Sequence, residues 1–252
     1  MIIMKKIYFT LIALLASINM LAQGWPANYS GVMLQGFSWD SYDYSQWTVL
    51  EKQADDMKGF IDLVWLPQSG KCIETTQVMG YKPYYYFNQN SSFGTEAELR
   101  SLIAKFKANG IGAIADVVVN HRNTNGWYTF PAETYKGVTY QMLSTDICKN
   151  DDGGSTATQA KKDGVSLSNN NDEGTDFGGC RDIDHKSENV QKIIEAYLTF
   201  LKEDMGYTGF RYDMVKGFSG THVADYNDAT GVEFSVGEYW DGNQSIINWI
   251  NK

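Results

Sequence analysis

Two carboxylates stand near the ends of neighbouring predicted strands and are spaced for paired acid–base chemistry. Asp213 belongs to the predicted strand 209–215, and Glu238 belongs to the next predicted strand, 233–239. Neighbouring strands lie roughly 4.8 Å apart, so side chains at adjacent strand ends come close together. Two carboxyl groups about 5–5.5 Å apart are typical of glycosidic bond cleavage with retention. The structural alternative is an ordinary ion pair at the strand ends.

The neighbours of the two carboxylates indicate how their roles divide. On a strand, Arg211 and Asp213 point to the same side, and an adjacent arginine favours the ionised form of a carboxylate. Glu238 instead has aromatic neighbours, Tyr239 and Trp240. A nucleophile must be ionised and a proton donor neutral, so their surroundings must differ. The sequence predicts Asp213 as nucleophile, Glu238 as general acid/base and Arg211 as the residue that orients Asp213.

A third set of polar residues lies at the end of the apolar stretch 111–119. This stretch is typical of a strand buried on both faces. Asp116, Asn120 and His121 lie at its mouth. A neutral amide oxygen such as that of Asn120 suits calcium, and His121 can donate to a sugar hydroxyl. A strand-capping asparagine and a packed histidine are the structural alternative.

Strands and helices alternate along most of the chain, which predicts a parallel sheet covered by helices. The predicted strands are 31–37, 60–66, 111–119, 209–215 and 233–239, and the predicted helices are 44–58, 95–109, 187–205, 222–227 and 244–252. One possible arrangement is an open doubly wound sheet. However, no glycine-rich phosphate loop follows the first strand, so nucleotide binding by such a sheet has no support. Carboxylates at strand ends favour an α/β fold of the (β/α)8 TIM-type barrel, with about five β/α units here.

The segment 122–181 interrupts this alternation. It is rich in Gly, Asn, Asp, Ser and Thr, with one alternating stretch, 135–142, that could form a hairpin. A structureless loop of this length is uncommon in a compact domain. We therefore expect an inserted subdomain at 122–181 after the third strand, between barrel segments 23–121 and 182–252.

Composition and the N-terminus indicate the cellular setting. The net charge is −9 with 21 basic residues, and the absence of basic clusters argues against a nucleic-acid partner. Lys5 and Lys6 precede an apolar run, 7–16, and a small-residue cleavage point stands before Gln23. These features predict a signal peptide at 1–22, removed from a periplasmic or secreted protein. The run is too short for a membrane span, so no membrane anchor is expected.

Three cysteines follow, Cys72, Cys148 and Cys180. Their spacing matches no zinc or redox pattern, and an odd number leaves at least one unpaired. We expect them to be small buried residues, with a Cys148–Cys180 disulfide bridge as the alternative.

Several motifs in this order resemble the alpha-amylase family and, within it, the plant-type branch. They are MLQGFSWD (33–40), VWLPQ (64–68), GYKP (80–83), DVVVNH (116–121), DIDH (182–185), GFRYD (209–213), YDMVKGFS (212–219) and VGEYW (236–240). The resemblance covers about residues 31–243. It implies endo-acting, retaining hydrolysis of α-1,4-glucans such as starch or glycogen by a monomer.

The resemblance also implies residue roles beyond the carboxylates. Tyr81 and His121 would contact the sugar at the cleavage point, and Lys216 and Trp240 would contact the leaving side. A structural calcium ion would tie the inserted subdomain to the barrel. Its ligands would be the side chains of Asn120, Asp172 and Asp182 and the backbone carbonyls of Thr175 and Gly217.

The family barrel has eight strands, and no Phe/Val-x-x-x-His-Asp segment follows Glu238. We therefore expect a barrel truncated after its fifth strand, with open edges and an interior exposed to water. Such a chain would be unstable and have little activity. The alternative function is an inactive fragment that binds glucan weakly through Tyr81, His121 and Trp240. A further alternative is another specificity, for α-1,6 bonds or transglycosylation.

Overall fold

A parallel β-sheet organises residues 25–252, the part of the chain that the computed structural model describes. The predicted signal peptide, 1–22, lies outside these residues. The strands are β1 Met33–Gln35, β2 Leu63–Leu66, β3 Gly112–Val117, β4 His121–Arg122, β5 Glu133–Tyr135, β6 Val138–Tyr140, β7 Arg181–Asp182, β8 Gly209–Tyr212 and β9 Phe234–Gly237. The helices are α1 Trp47–Met57, α2 Glu96–Ala108, α3 Ser155–Asp163, α4 Glu188–Thr199, α5 Gly220–Thr230 and α6 Asn243–Ile250.

The main sheet contains β1, β2, β3, β8 and β9 in that order, and each neighbouring pair is parallel. A helix follows each of these strands before the next one begins. The predicted α/β class and its five β/α units are confirmed. A TIM barrel has eight such strands, so the described residues form part of one, with β1 and β9 at the edges.

Local signals in the sequence explain where the helices begin. Thr95 precedes α2, its hydroxyl accepts from Glu98 N at 3.3 Å, and the Glu98 carboxylate accepts from Thr95 N at 2.7 Å. This is a capping box, which satisfies two otherwise unpaired N–H groups. The helix predicted over 187–205 differs from expectation, because α4 ends at Thr199 and Phe200–Met205 continue as a π-helix.

Alternation along the strands sorts side chains between two faces of the sheet. Phe210 and Tyr212 belong to the large core under the helices, whereas Arg211 lies on the opposite, inner face. Leu63, Ile114 and Phe234 form a small apolar cluster that is separate from that core. The register pairs Ile114 with Gly209 and Gly209 with Phe234, two positions before Asp116 and Arg211 pair. An apolar layer therefore lies below the charged layer on the inner face.

The N-terminal segment covers part of this inner apolar layer. The Trp25 and Tyr29 rings contact the Phe234 ring edge to face, with centroids 4.9 Å and 5.0 Å away. Burial of three aromatic rings removes apolar surface from water. The expectation of an interior exposed to water is therefore wrong for this part of the inner face, because Trp25 and Tyr29 pack over Phe234.

The segment 122–181 has its own small elements. β5 and β6 form the antiparallel hairpin expected near 135–142, and α3 follows. β4 pairs antiparallel with β7, which places His121 opposite Asp182 and Arg122 opposite Arg181. The two ends of the segment therefore meet beside the sheet.

The three cysteines, Cys72, Cys148 and Cys180, are all buried and free. The structure therefore does not contain the alternative Cys148–Cys180 disulfide bridge.

Among residues 25–252, every helix is too short or too polar to cross a membrane.

Candidate active site

Arg211 joins the two predicted catalytic carboxylates. Its Nη1 donates to Asp213 Oδ1 at 2.8 Å, and its Nη2 lies 2.7 Å from Glu238 Oε2. Strand register explains this arrangement: Arg211 is the partner of Val236 in β9, and Glu238 follows just beyond the end of that strand. Backbone hydrogen bonds continue past the strands, from Asp213 N to Val117 O at 2.9 Å and from Glu238 N to Tyr212 O at 2.9 Å. Rigid strand ends thus hold both carboxylates.

Asp116 is a third carboxylate on the same arginine. Arg211 Nη1 donates to Asp116 Oδ1 at 2.7 Å. Asp116 Oδ2 accepts from Trp65 Nε1 at 3.1 Å and from the Tyr81 hydroxyl at 2.9 Å. Asp116 was predicted from the sequence to lie at the strand mouth, without a role. Asp116 pairs with Arg211 in the register of β3 and β8. Knowledge of that register would have been needed to predict the contact.

The predicted electrostatic asymmetry between Asp213 and Glu238 is wrong for this structure. Arg211 contacts both carboxylates, and Asp213 is the more buried, with 11% of its side chain exposed against 39% for Glu238. Burial first, and then the charge of Asp116, raise the pKa of Asp213 to about 8. One arginine shared among three carboxylates cannot offset both effects, so it does not keep Asp213 fully ionised at neutral pH.

Aromatic rings surround the carboxylates. The Arg211 guanidinium lies over the Trp65 ring, 4.8 Å from its centroid. The Tyr81 ring stacks on Trp39, with centroids 5.8 Å apart and planes at 6°. Trp39 is 70% exposed. The predicted sugar-contacting Tyr81 therefore forms an aromatic wall with Trp39, a residue to which sequence analysis gave no role.

The predicted leaving-side residues also come together. Lys216 Nζ lies 4.8 Å from the centroid of the Trp240 ring, a cation–π contact. Trp240 is 51% exposed and follows Glu238 by two positions. The Trp240 ring and the Lys216 ammonium group thus form a pair close in sequence to the predicted acid/base.

His121 is placed differently from the other predicted sugar contacts. Its Nε2 is 2.9 Å from Tyr81 O, and its ring stacks on Phe177 with centroids 3.9 Å apart. Only 1% of His121 is exposed. Burial lowers its pKa to about 4, so the ring is neutral near pH 7. Phe177, from the segment 122–181, therefore covers one face of the buried His121 ring.

Four of the five predicted calcium ligands lie at one junction: Asn120, Asp182 and Gly217 are in contact, and Thr175 is bonded to Lys216, the residue before Gly217. Asn120 Nδ2 donates to Asp182 Oδ1 at 3.3 Å, and Thr175 N donates to Lys216 O at 3.1 Å. A Cβ added to Gly217 would lie 1.9 Å from Asn120 Oδ1, so the backbone at Gly217 approaches that amide closely. The end of β3, the inserted segment and the turn after β8 meet here.

The fifth predicted ligand, Asp172, belongs to an acidic cluster at this junction. Its Oδ2 is buried and has no hydrogen-bond partner. Burial raises the pKa of Asp172 to about 6, and burial with Asp176 and Asp172 nearby raises the pKa of Asp182 to about 10. Carboxylate oxygens of Asp151, Asp176 and Asp182 lie within 4.8 Å of one another. Calcium prefers oxygen ligands, and carboxylates in particular. A buried carboxylate oxygen without a partner, close to other carboxylates that repel it, therefore fits a calcium site.

Asp151 and Asp176 were not among the residues predicted from the sequence. Asp151 accepts from Asp182 N at 2.7 Å and from Arg181 Nη1 at 2.7 Å, and Asp176 accepts from Gly153 N at 2.7 Å. These contacts join parts of the insertion that are far apart in sequence. No periodicity in a loop-rich segment reveals such a cluster.

Comparisons with known proteins agree with this fold. The family model described as alpha amylase, catalytic domain, matches residues 61–246. Alpha-amylase 3, chloroplastic, of Arabidopsis thaliana is 32% identical over 87% of this chain and 25% of its own length. Probable alpha-amylase 2 of the same plant is 30% identical over 87% of this chain and 53% of its length. The chain thus spans a quarter to about half of these curated relatives.

Solved structures share the fold at low identity. An alpha-amylase from Malbranchea cinnamomea has a TM-score of 0.57 and 20% identity, covering 87% of this chain and 48% of its own. The maltohexaose complex of an Eisenia fetida alpha-amylase I variant has a TM-score of 0.60 and 16% identity, covering 84% and 45%. The family model matches most of the chain, and the chain therefore belongs to the alpha-amylase catalytic-domain family.

Proposed function

We propose that this chain hydrolyses α-1,4-glucosidic bonds inside starch- or glycogen-type polysaccharides, with retention at the anomeric carbon. The observation that carries the proposal is the contact of one guanidinium, that of Arg211, with both Asp213 and Glu238. Membership of the alpha-amylase family supports glucan as the substrate. The relatives include a glucan 1,4-alpha-maltotetraohydrolase from Stutzerimonas stutzeri, 26% identical over 86% of this chain.

In the first step, an Asp213 oxygen attacks the anomeric carbon while Glu238 gives its proton to the glycosidic oxygen. The bond between that oxygen and the anomeric carbon breaks, and the leaving glucan departs with the proton. A covalent glycosyl ester of Asp213 remains. Arg211 holds the two carboxylates in fixed relative positions, which lowers the entropic cost of reaching the reactive geometry.

In the second step, Glu238, now ionised, takes a proton from water. The water oxygen attacks the anomeric carbon and displaces the Asp213 carboxylate. Two inversions give net retention, and both residues return to their starting states.

Charge at the site favours the transition states of both steps. While Glu238 holds its proton, ionised Asp116 and Asp213 together outnumber the single positive charge of Arg211. An oxocarbenium-like transition state is positive, so a fixed excess of negative charge stabilises it. As positive charge develops on the sugar, the ionised form of Asp213 also becomes more favourable.

Side chains around the carboxylates would position the glucan. Tyr81 would contact the sugar at the cleavage point, and Lys216 and Trp240 the leaving side. Rings present apolar faces and polar edges, as sugars do. His121 would reach the sugar only after Phe177 moves from its ring.

A calcium ion would fit the junction between the inserted segment and the sheet. Asn120, Asp172, Asp182 and the carbonyls of Thr175 and Gly217 would hold it, with Asp176 close by. The ion would neutralise buried carboxylates that otherwise repel one another. We further propose export through the segment 1–22, which cell fractionation would test.

Reducing-sugar release from soluble starch tests the proposal. Asp213→Asn and Glu238→Gln should each lose about 10³-fold or more in kcat. Asp228→Asn is the matched control, because Asp228 is exposed on α5. NMR of the first product should show the α-anomer. Equal background release by wild type and Asp213→Asn would refute hydrolysis and favour a non-catalytic glucan-binding chain.

A further inference from the structure

A second cleft, of about 470 Å³, opens between the first two β/α connections. Its walls come from 42–48, 75–77 and 90–98, which follow β1 and β2 in the chain. In a parallel sheet these connections lie at the same end as those that carry Asp213 and Glu238. Trp39, in the first connection, stacks on Tyr81 beside the charged cluster. The cleft therefore flanks the candidate active site without including its carboxylates.

The chemistry of the wall selects a class of ligand. The wall contains no lysine or arginine, so it offers no counter-charge to phosphate or another anion. Most of its side chains carry a hydroxyl or an amide, which disfavours an apolar ligand. Such groups both donate and accept hydrogen bonds. Tyr42, a half-buried ring that packs against the core, also lines the cleft. A neutral ligand with many hydroxyl groups matches this surface.

The polar groups at the open side are free to bind. Within residues 25–252, the side chains of Thr75, Thr76 and Gln77 are exposed and form no hydrogen bond with another residue. Gln77 has φ of 57°, the left-handed region that non-glycine residues adopt rarely. By contrast, the Glu98 carboxylate is engaged with Thr95 N at 2.7 Å.

We propose that this cleft is an auxiliary glucan-binding site, which holds a part of the polysaccharide away from the bond being cleaved. Its polyhydroxylated ligand follows from the cleft itself, whereas the choice of α-glucan rests on the proposed function. Tyr42 provides the stacking surface, and Gln77 with Thr75 and Thr76 provides hydrogen bonds. The site raises the affinity for polymer by adding a second point of attachment.

Adsorption of the full chain to insoluble starch tests this site. All variants carry Asp213→Asn to prevent turnover. Tyr42→Ala and Gln77→Gly should each weaken adsorption, by about tenfold for Tyr42→Ala. Tyr44→Ala is the matched control, because Tyr44 is exposed in the same connection but does not line the cleft. Gln77→Gly keeps the left-handed backbone without strain, and thermal unfolding verifies that each variant folds.

The outcomes separate this site from the proposed function. Equal adsorption of Tyr42→Ala, Gln77→Gly and Tyr44→Ala, or no adsorption by the parent chain, would overturn the auxiliary site. Loss of adsorption in the two cleft variants alone would support it, even if the chain with Asp213 intact released no sugar. In that case hydrolysis would fail and glucan binding by the cleft would stand.

Discussion

Arg211 Nη1 lies 2.7 Å from Asp116 Oδ1, although the two residues are 95 positions apart in the chain. They are opposite one another in the parallel register of β3 and β8. The same nitrogen donates to Asp213 Oδ1 at 2.8 Å. Asp116 therefore competes with Asp213 for one positive charge and adds a negative charge beside it.

Asp116→Asn should shift the acid limb of the pH–activity profile to lower pH. Activity requires ionised Asp213, and the charge of Asp116 is one cause of its raised pKa. Asparagine removes that charge, so the pKa of Asp213 falls. An amide nitrogen donates hydrogen bonds and accepts none, so in place of Asp116 Oδ2 it would leave Trp65 Nε1 and the Tyr81 hydroxyl without their acceptor. Stability should therefore also fall by about 1–3 kcal/mol. An acid limb identical to that of Asp228→Asn would contradict this account.

Asp213→Asn should stabilise the fold at neutral and mildly alkaline pH. The pKa of Asp213 is raised to about 8 from an ordinary value of 3.8. Between these values the folded state retains a proton that the unfolded state releases, so stability falls as pH rises. Asparagine has no such charge, and its stability should depend less on pH. Urea unfolding near pH 5 and near about pH 8 measures this; a variant less stable than wild type at the higher pH would contradict it.

Gly217→Ala should disturb the junction between the insertion and the sheet. Its Cβ would lie 1.9 Å from Asn120 Oδ1, so the backbone or the amide must shift. We expect a loss of about 1–3 kcal/mol in the free energy of unfolding. Gly242→Ala is the control, since a Cβ there meets nothing within 4 Å and φ is −62°. Equal effects of the two substitutions would argue against close packing at Gly217.

Calcium removal should lower thermal stability if the acidic junction binds the ion. A ligand at 100 times its Kd stabilises by about 2.7 kcal/mol, so a chelator should lower Tm and added calcium restore it. Asp182→Asn should reduce this response, whereas the exposed Asp228→Asn should retain it. A Tm of the wild type that does not change with chelator would exclude a stabilising calcium ion.

Sequence patterns predicted what depends on local order along the chain. Alternation placed Arg211 and Asp213 on one side of a strand, and the contact between them confirms it. The contact of Arg211 with Glu238 could not be predicted in this way, because it depends on how β8 and β9 align and on where the chain turns after β9. The apolar stretch 111–119 predicted β3, but the same apolar pattern concealed Asp116 as a buried partner of Arg211.

Contacts between segments distant in the chain could not be predicted from the sequence either. Asp151, Asp176 and Asp182 come together only when the insertion folds back on the sheet. The cover of Phe177 over His121 has the same origin. Neither contact has a spacing rule, since loops fix their side chains through tertiary contacts rather than through a repeat.

The N-terminal cover of the inner face gives a last prediction. Trp25 contacts Tyr29 and Phe234 edge to face, with centroids 5.6 Å and 4.9 Å away. Trp25→Ala should lower the free energy of unfolding by about 1–3 kcal/mol through exposure of apolar surface. Trp240→Ala, at a ring 51% exposed, should change it by less than about 0.5 kcal/mol.

A double-mutant cycle distinguishes direct contact from general destabilisation. Trp25→Ala and Phe234→Ala should be coupled by about 0.5–1.5 kcal/mol, because each removes a ring from the same edge-to-face pair. Additive effects would mean that Trp25 does not pack on Phe234 in solution. The apolar layer under Asp116 and Arg211 would then be open to water, and solvent below the charged layer would lower the pKa of Asp213 toward its ordinary value.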